Sequence, residues 1–143
     1  MNLFKLSVIK TFSGTISIFS TAIGNNGFGV AGMTEAQAIK EGFEIITGTA
    51  EGIDRHPGSL SDSHKQYVKL VVAKDSGVIL GGAVFGGLSA GELINVIGVA
   101  IQNRMDINAL FITQVGTHPL LTASPAAYPL IKAVESAIIQ LNK

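Results

Sequence analysis

The sequence contains no cysteine and no tryptophan, and it has few charged residues. The absence of cysteine excludes disulfide bonds, thiolate metal sites and a redox dithiol carried by this chain. Charged residues make up 14% of the chain, against a typical share of about 25%. The ten basic and ten acidic residues balance, and no lysine or arginine cluster is present to bind a phosphate backbone. We therefore expect no nucleic-acid partner.

Apolar residues are abundant, at 47% of 143 residues. A chain of this length is large enough for a core and too small to combine a cofactor domain with a substrate domain, so we expect a single domain over residues 1–143. No apolar run is long enough to cross a bilayer, and we expect no membrane partner. The surplus of apolar side chains predicts that part of the surface is buried against a second copy, in a homodimer.

The clearest local signal is a hairpin followed by a helix. Two apolar runs, Val68 to Ala73 and Val78 to Phe85, flank a short segment that ends in Gly77, which predicts an antiparallel turn. Ser89-Ala90-Gly91-Glu92 has the spacing of a capping box and predicts a helix from Ser89 to about Gln102. Because apolar residues surround the axis of this helix, we expect a partner subunit to cover part of it.

Turn and capping signals predict the remaining elements. The first half of the chain is predicted to contain a strand ending near Ile23, a short strand over Phe28 to Gly32, a helix from Thr34 that Gly42 ends, a strand over Phe43 to Glu51 and an exposed loop over Gly52 to His64. The C-terminal part is predicted to contain a short helix over Met105 to Phe111 capped by Asp106, an irregular segment over Gln114 to Pro125, and a last helix that Ser124-Pro125 opens. Together they predict an α+β fold, an antiparallel β-sheet of about four to five strands flanked by helices.

The N-terminal segment admits two interpretations. Lys5 and Lys10 precede an apolar run, Thr11 to Ile23, that could be a secretory signal peptide with Ser20-Thr21-Ala22 near the cleavage point. The run alternates in places and carries several hydroxyl groups, which favours a half-buried strand. We therefore expect a cytoplasmic domain, and a secreted domain with a cleaved leader is the alternative.

One motif suggests a nucleotide site. Gly27-Phe28-Gly29-Val30-Ala31-Gly32 matches G-x-G-x-x-G, and Glu51 lies where a ribose-binding acid is expected. In a dinucleotide site, however, the helix begins within the motif, whereas Thr34 predicts a helix start after the last glycine. We favour a glycine-rich turn and edge strand. The alternative is a stand-alone oligomeric domain that binds a small ligand or nucleotide with the Gly27 to Gly32 loop.

The three histidines are the candidate proton-transfer groups. His56 and His64 flank the Pro/Gly/Ser loop, where histidines are more often solvated than metal-bound, and their spacing predicts no metal site. His118 precedes Pro119, and a proline restrains the preceding backbone to extended geometry, which aims the imidazole. A histidine fixed in this way is a candidate proton donor or acceptor. A hydrogen-bonded structural histidine is the alternative.

Four stretches, in order along the chain, carry a family resemblance. They are Gly32 to Ala38, Val68 to Leu70 with Gly81 and Gly82, Ser89 to Ile94, and Thr117 to Pro119. In this order they resemble the C-terminal dimerisation, or interface, domain of FAD-dependent pyridine nucleotide-disulfide oxidoreductases, particularly the NADH oxidase and coenzyme A disulfide reductase branch. The resemblance covers residues 11–141 and leaves residues 1–10 as a possible linker remnant.

The resemblance implies a domain that pairs two subunits of a longer enzyme, with FAD and NAD(P)H bound on two preceding domains. His118 would then be the catalytic candidate, and Pro119 would lie near the partner's flavin. The isolated chain would hold no cofactor and would be inactive, whereas the parent would be an NAD(P)H-dependent flavin oxidoreductase. In the glutathione-reductase-like branch a glutamate follows the histidine by five residues, and here Ala123 occupies that position. This departure favours the oxidase-like branch.

Overall fold

A five-stranded antiparallel sheet forms the centre of the computed structural model, which describes residue 12 and residues 14–143. Its strands are β1 (Ile18–Ile23), β2 (Asn26–Gly32), β3 (Ile45–Ile53), β4 (Lys65–Ala73) and β5 (Ile79–Gly86). Their order across the sheet is β1-β2-β5-β4-β3, and each neighbouring pair is antiparallel. The predicted α+β class and the predicted sheet are confirmed. Residues 1–10, the possible linker remnant, lie outside the described residues.

Helices flank this sheet, and the two longest cover one of its faces. The helices are α1 (Glu35–Lys40), α2 (Ala90–Gln102), α3 (Ile107–Phe111) and α4 (Pro129–Leu141), with a short 3₁₀ turn at Pro125–Ala127. α2 packs on β2 and β5, and α4 packs on β3 and β4. Alternate residues of β4 point into this layer and form the core with both helices. The buried residues of this core include Val68, Leu70, Val72, Ile94, Ile97, Leu130 and Val134.

The G-x-G-x-x-G segment is a strand rather than a loop. It forms β2, which pairs with β1 on one side and with β5 on the other. Its peptide groups are therefore used in the ladders and cannot cradle a pyrophosphate. Gly29 faces α2, and a Cβ atom placed there would lie 2.6 Å from Cβ of Ile94, so the glycine lets the helix approach the sheet. The favoured strand is thus confirmed over the alternative of a Gly27 to Gly32 binding loop, whereas its expected edge position is wrong, because β1 is the edge.

The N-terminal run that could be a leader contains β1, which is paired with β2 over its whole length. Cleavage near Ala22 would remove most of this strand. Glu51, the expected ribose-binding acid, lies on β3 with its carboxylate 3.0 Å from Nζ of Lys65.

Two of the predicted helix starts are confirmed. Oγ1 of Thr34 accepts a hydrogen bond from the backbone N–H of Gln37, and the backbone N–H of Thr34 donates to Oε1 of Gln37. These two bonds complete the capping box of α1. The helix ends before Gly42, whose φ of +88° is a left-handed conformation that glycine adopts without strain. Asp106 caps α3 by accepting from the N–H groups of Asn108 and Ala109.

Of the other two predicted helix starts, the one at Ser89 is confirmed in position but lacks its capping box, and the one at Ser124-Pro125 is wrong. Ser89 has helical backbone angles and makes no side-chain cap bond, so α2 begins at Ala90 without the capping box. Ser124-Pro125 opens only the 3₁₀ turn, and α4 begins four residues later at Pro129. Both serines are at the predicted bends of the chain, but neither hydroxyl caps a helix.

The cap on α3 gives a measurable contribution to stability. Asp106→Ala removes the acceptor for two backbone N–H groups, at 2.8 and 2.9 Å, so we expect it to lower the free energy of unfolding by about 1 kcal/mol. Urea denaturation measures this change. Asp75→Ala, which removes an exposed carboxylate from the β4–β5 turn, is the matched control and should change the value by less than about 0.5 kcal/mol. Equal effects from both variants would contradict the capping role.

Candidate functional site

The His118–Pro119 segment is a tight, hydrogen-bonded turn on the surface. The carbonyl oxygen of His118 accepts from the N–H groups of Leu121 and Thr122, both at 2.9 Å. The N–H of His118 donates back to Oγ1 of Thr122 at 3.1 Å. These reciprocal bonds hold the backbone on both sides of Pro119, so the position of the imidazole is set by the turn.

The imidazole of His118 has one defined partner. The N–H of Leu120 donates to its Nδ1 at 3.3 Å. Because Nδ1 is an acceptor, the neutral ring carries its proton on Nε2. None of the ion pairs among residues 14–143 involves His118, and Ala123, at the position of the orienting glutamate, is an apolar buried residue. Among residues 14–143, no carboxylate therefore pairs with the imidazole of His118.

A second loop holds the turn from outside. The N–H of His56 donates to the carbonyl oxygens of Pro119, at 3.2 Å, and of Thr122, at 3.1 Å. His56 lies in the connection between β3 and β4, over residues 54–64. The backbone of this loop is thus attached to the backbone of the His118 turn.

The base of that loop is closed by a buried carboxylate. Asp54 is 5% exposed, and its Oδ1 accepts from the N–H of His64 at 2.7 Å. The N–H of Asp54 donates to the carbonyl oxygen of His64 at 3.0 Å. The hydroxyl of Ser89 donates to Oδ2 of Asp54 at 3.4 Å, and Nε2 of Gln66 donates to that hydroxyl at 3.1 Å. These four residues, 54, 64, 66 and 89, form the Asp54 cluster.

The sequence does not predict this cluster. The local signals place His64 in an exposed loop and Ser89 at a helix cap, and the spacing of the four residues matches no local motif. Only the proximity of Asp54 and His64 could be predicted. They are the two ends of the Pro/Gly/Ser loop, where the flanking strands meet in an antiparallel pair. Among the described residues, no three His, Asp or Glu side chains converge to hold a metal ion.

A small cavity lies between the Asp54 cluster and the His118 turn. Its volume is about 170 Å³, and Gln66, Val96, Leu121 and Tyr128 are among its lining residues. Burial raises the pKa of the Tyr128 phenol, which therefore stays protonated at neutral pH. Ligand pockets usually have volumes of about 300–1,000 Å³. This cavity is too small for a dinucleotide.

The sheet face opposite α2 and α4 is open and rich in aromatic residues. Phe28 and Phe85 stack with ring centroids 4.9 Å apart, and Tyr67 lies opposite Phe85 in the β4–β5 ladder. A depression of about 610 Å³ beside them is lined by Phe19 and Lys69, among others, and Lys69 forms an ion pair with Glu35. An apolar face of this kind is typical of a surface that contacts another domain. None of the helices in residues 14–143 is long and apolar enough to cross a membrane.

Comparison with solved structures finds the same fold in larger proteins. An NAD-dependent persulfide reductase from A. fulgidus superposes with a TM-score of 0.83 at 26% identity, over 92% of this chain and 24% of that one. The water-forming NADH oxidase from Lactobacillus brevis gives 0.77 at 21% identity, over 87% and 27%. Reduced CoADR-RHD from Bacillus anthracis gives 0.80 at 19% identity, over 92% and 23%. The chain thus spans about a quarter of the length of each.

The family comparison covers most of the chain. Residues 18–127 match the sequence profile of the pyridine nucleotide-disulphide oxidoreductase dimerisation domain, a range that begins at the first residue of β1 and ends at the last residue of the 3₁₀ turn. It includes the Asp54 cluster and the His118 turn. The chain therefore belongs to the pyridine nucleotide-disulphide oxidoreductase dimerisation-domain family.

Proposed function

We propose that this chain pairs two copies of an FAD-dependent NAD(P)H oxidase or related pyridine nucleotide-disulfide oxidoreductase, and that its His118–Pro119 turn lies beside the partner's flavin. The observation that carries the proposal is the position of the exposed turn next to an exposed apolar surface, in a chain of the dimerisation-domain family. A turn that reaches a partner must lie at the edge of the surface that contacts that partner.

The pairing surface is the helical patch, which we define as Val96, Val99 and Leu121. These side chains are 44%, 56% and 71% exposed. Val96 and Val99 lie three residues apart on α2, so they share one face of that helix, and Val96 and Leu121 line the same cavity. The patch is continuous with the His118 turn through Leu121. Two-fold pairing through this patch brings each turn to the partner subunit.

The open sheet face contacts the flavin and nicotinamide domains of the complete enzyme. The chain matches about a quarter of the length of its structural relatives. Its open aromatic face is larger than any helix described in this chain could bury. FAD and NAD(P)H bind on those companion domains in this proposal, which agrees with the use of the glycine motif for strand pairing in β2. The isolated chain is therefore a pairing module without activity of its own.

The chemical contribution of His118 is a hydrogen bond or a proton from Nε2. Its Nδ1 is engaged by the N–H of Leu120, so in the neutral ring Nε2–H is the donor that remains. No carboxylate of the described chain supports an imidazolium here, which favours a donor beside the flavin edge over an acid/base dyad. Pro119 lies in the same turn, and its uncharged ring would contribute packing beside the flavin.

A substitution in the complete enzyme tests the turn. His118→Ala should slow flavin reoxidation or turnover by on the order of 100-fold, the usual loss on removing a proton-transferring group. Stopped-flow absorbance of the flavin measures this rate. His56→Ala is the matched control, because the contact of His56 with the turn is made by its backbone N–H.

Unchanged kinetics for His118→Ala would reduce His118 to a structural residue and overturn the flavin part of the proposal. In the isolated chain the same substitution should leave the oligomeric state unchanged. Sedimentation velocity with and without NADH then tests pairing alone, and we expect a dimer whose mass is indifferent to the nucleotide.

A further inference from the structure

We propose that Asp54 is a positioning residue for the His118 turn, acting through the backbone of loop 54–64. The catalytic meaning of this inference rests on the proposed function, since only there does the turn meet a flavin. The physical coupling between Asp54 and the turn does not depend on the flavin, and it is tested separately below.

Asp54 is in an unusual environment for a carboxylate. Asp54 and Gln66 are the polar residues that are buried among residues 14–143, and the Asp54 side chain is 2% exposed. A carboxylate is costly to bury unless hydrogen bonds replace its water. Here the replacement comes from the N–H of His64 and the hydroxyl of Ser89. The carboxylate therefore ties the two ends of the loop together and joins them to the start of α2.

The loop also connects the Asp54 carboxylate to the His118 turn. Asp54 and His56 are two residues apart, so the backbone between them has little freedom once Asp54 is held. The single N–H of His56 then meets two carbonyl oxygens of the turn, those of Pro119 and Thr122. Thr122 in turn receives the N–H of His118 on its hydroxyl oxygen. The buried carboxylate is thus linked to the backbone that carries the imidazole by two residues of covalent chain, from Asp54 to His56, followed by the hydrogen bonds of His56 and Thr122.

Close packing leaves little room for the carboxylate to move. A Cβ atom placed on Gly87 would lie 2.5 Å from Oδ2 of Asp54 and 2.9 Å from Cβ of His64. The β5–α2 connection therefore passes directly against the cluster. Because Gly87, Ser89 and His64 enclose the carboxylate from different segments, its position is determined by the fold and not by the exposed part of the loop.

Amide hydrogen exchange in this chain tests the coupling. Asp54→Ala should accelerate exchange of the Leu121 and Thr122 amides by about tenfold or more, through local opening, while the β4 amides of Val68 and Leu70 stay protected. Asp54→Asn keeps an acceptor for the N–H of His64 and should restore protection to within about threefold of the wild type. Asp62→Ala, an exposed acid in the same loop, is the control and should change nothing.

Protection of Leu121 and Thr122 that stays at the wild-type level in Asp54→Ala would overturn the inference. Should Asp54→Ala fail to fold, Ser89→Ala takes its place, since it removes one of the donors to Asp54; partial acceleration at the turn supports the coupling, and unchanged protection refutes it. His56→Ala retains the backbone N–H and should leave the turn protected. Loss of protection there would show that the imidazole of His56, not the backbone, holds the turn.

A double-mutant cycle in the complete enzyme separates positioning from general stability. Asp54→Ala should lower the flavin reoxidation rate, but the Asp54→Ala/His118→Ala double variant should be no slower than His118→Ala alone, because Asp54 acts through His118. Additive losses would show that Asp54 acts elsewhere. If His118→Ala leaves turnover unchanged while Asp54→Ala still releases the turn, the proposed function fails and the coupling stands.

Discussion

Replacing Gly48 with alanine is expected to lower the free energy of unfolding by about 3 kcal/mol, the upper end of the usual cost of overpacking. Gly48 lies on β3 directly under α4. A Cβ atom there would contact the carbonyl oxygen of Ala133 and would lie 2.8 Å from Cβ of Ala137. Because the obstacle is the backbone of the helix and not the end of a flexible side chain, α4 must shift away from the sheet to admit the methyl group.

Urea denaturation at fixed protein concentration measures this loss, since pairing makes stability depend on concentration. Gly116→Ala is the matched control. A Cβ at Gly116 meets no heavy atom within 4 Å, so that substitution should change the free energy of unfolding by less than about 0.5 kcal/mol. A Gly48→Ala variant as stable as Gly116→Ala would show that α4 does not lie this close to β3.

The elements predicted correctly are those whose signals lie within a few residues. The Thr34 capping box, the Asp106 cap and the turn that ends in Gly77 each depend on side chains bonding to backbone two or three residues away. Such contacts form in the same way whatever the rest of the chain does. The hairpin and both caps could therefore be predicted before the sheet order was known.

Ser89 lies at the predicted start of α2, but its predicted capping box does not form. Its hydroxyl could have capped α2, but a buried carboxylate 35 residues earlier in the chain takes the hydroxyl instead. Bonding to a buried charge is worth more than a helix cap, because the charge is costly to leave without a partner. No sequence pattern around Ser89 indicates that its hydroxyl bonds to Asp54, so the cluster could not be predicted from local sequence.

The sequence contains the signal for the start of α4, but at Pro129 and not at the predicted Pro125. A helix beginning at Pro125 would place Pro129 at its fifth position, where a proline has no N–H to donate to the carbonyl of residue 125 and its ring clashes there. Proline also disfavours the helical region for the residue before it. Tyr128 accordingly has an extended ψ of 116°, and the helix starts at Pro129.

The glycine motif illustrates a different limit. The spacing of Gly27, Gly29 and Gly32 is the same in a pyrophosphate loop and in this strand, because both uses need a missing side chain for close approach. In this chain the group that approaches Gly29 is Ile94 of α2. The tertiary fold determines which group approaches a glycine, and the motif alone does not identify that group.

Val99→Glu is expected to weaken pairing of two copies by about 100-fold, equivalent to about 2.7 kcal/mol. Val99 belongs to the helical patch and is 56% exposed in the single chain. In a two-fold interface the substitution introduces one carboxylate from each copy into the same surface. Both must lose water without gaining a cationic partner, which is unfavourable for each and more so for the two together.

Sedimentation equilibrium over a range of protein concentrations measures this dissociation constant. Ile39→Glu provides the matched control, because Ile39 is an equally apolar residue, 61% exposed, that lies on α1 away from the patch. It should leave the dissociation constant within about threefold of the wild type, as expected for a substitution outside the contact. Dissociation by Ile39→Glu but not by Val99→Glu would place the pairing surface on the other side of the sheet. A wild-type chain that stays monomeric at high concentration would contradict pairing of this chain through the helical patch.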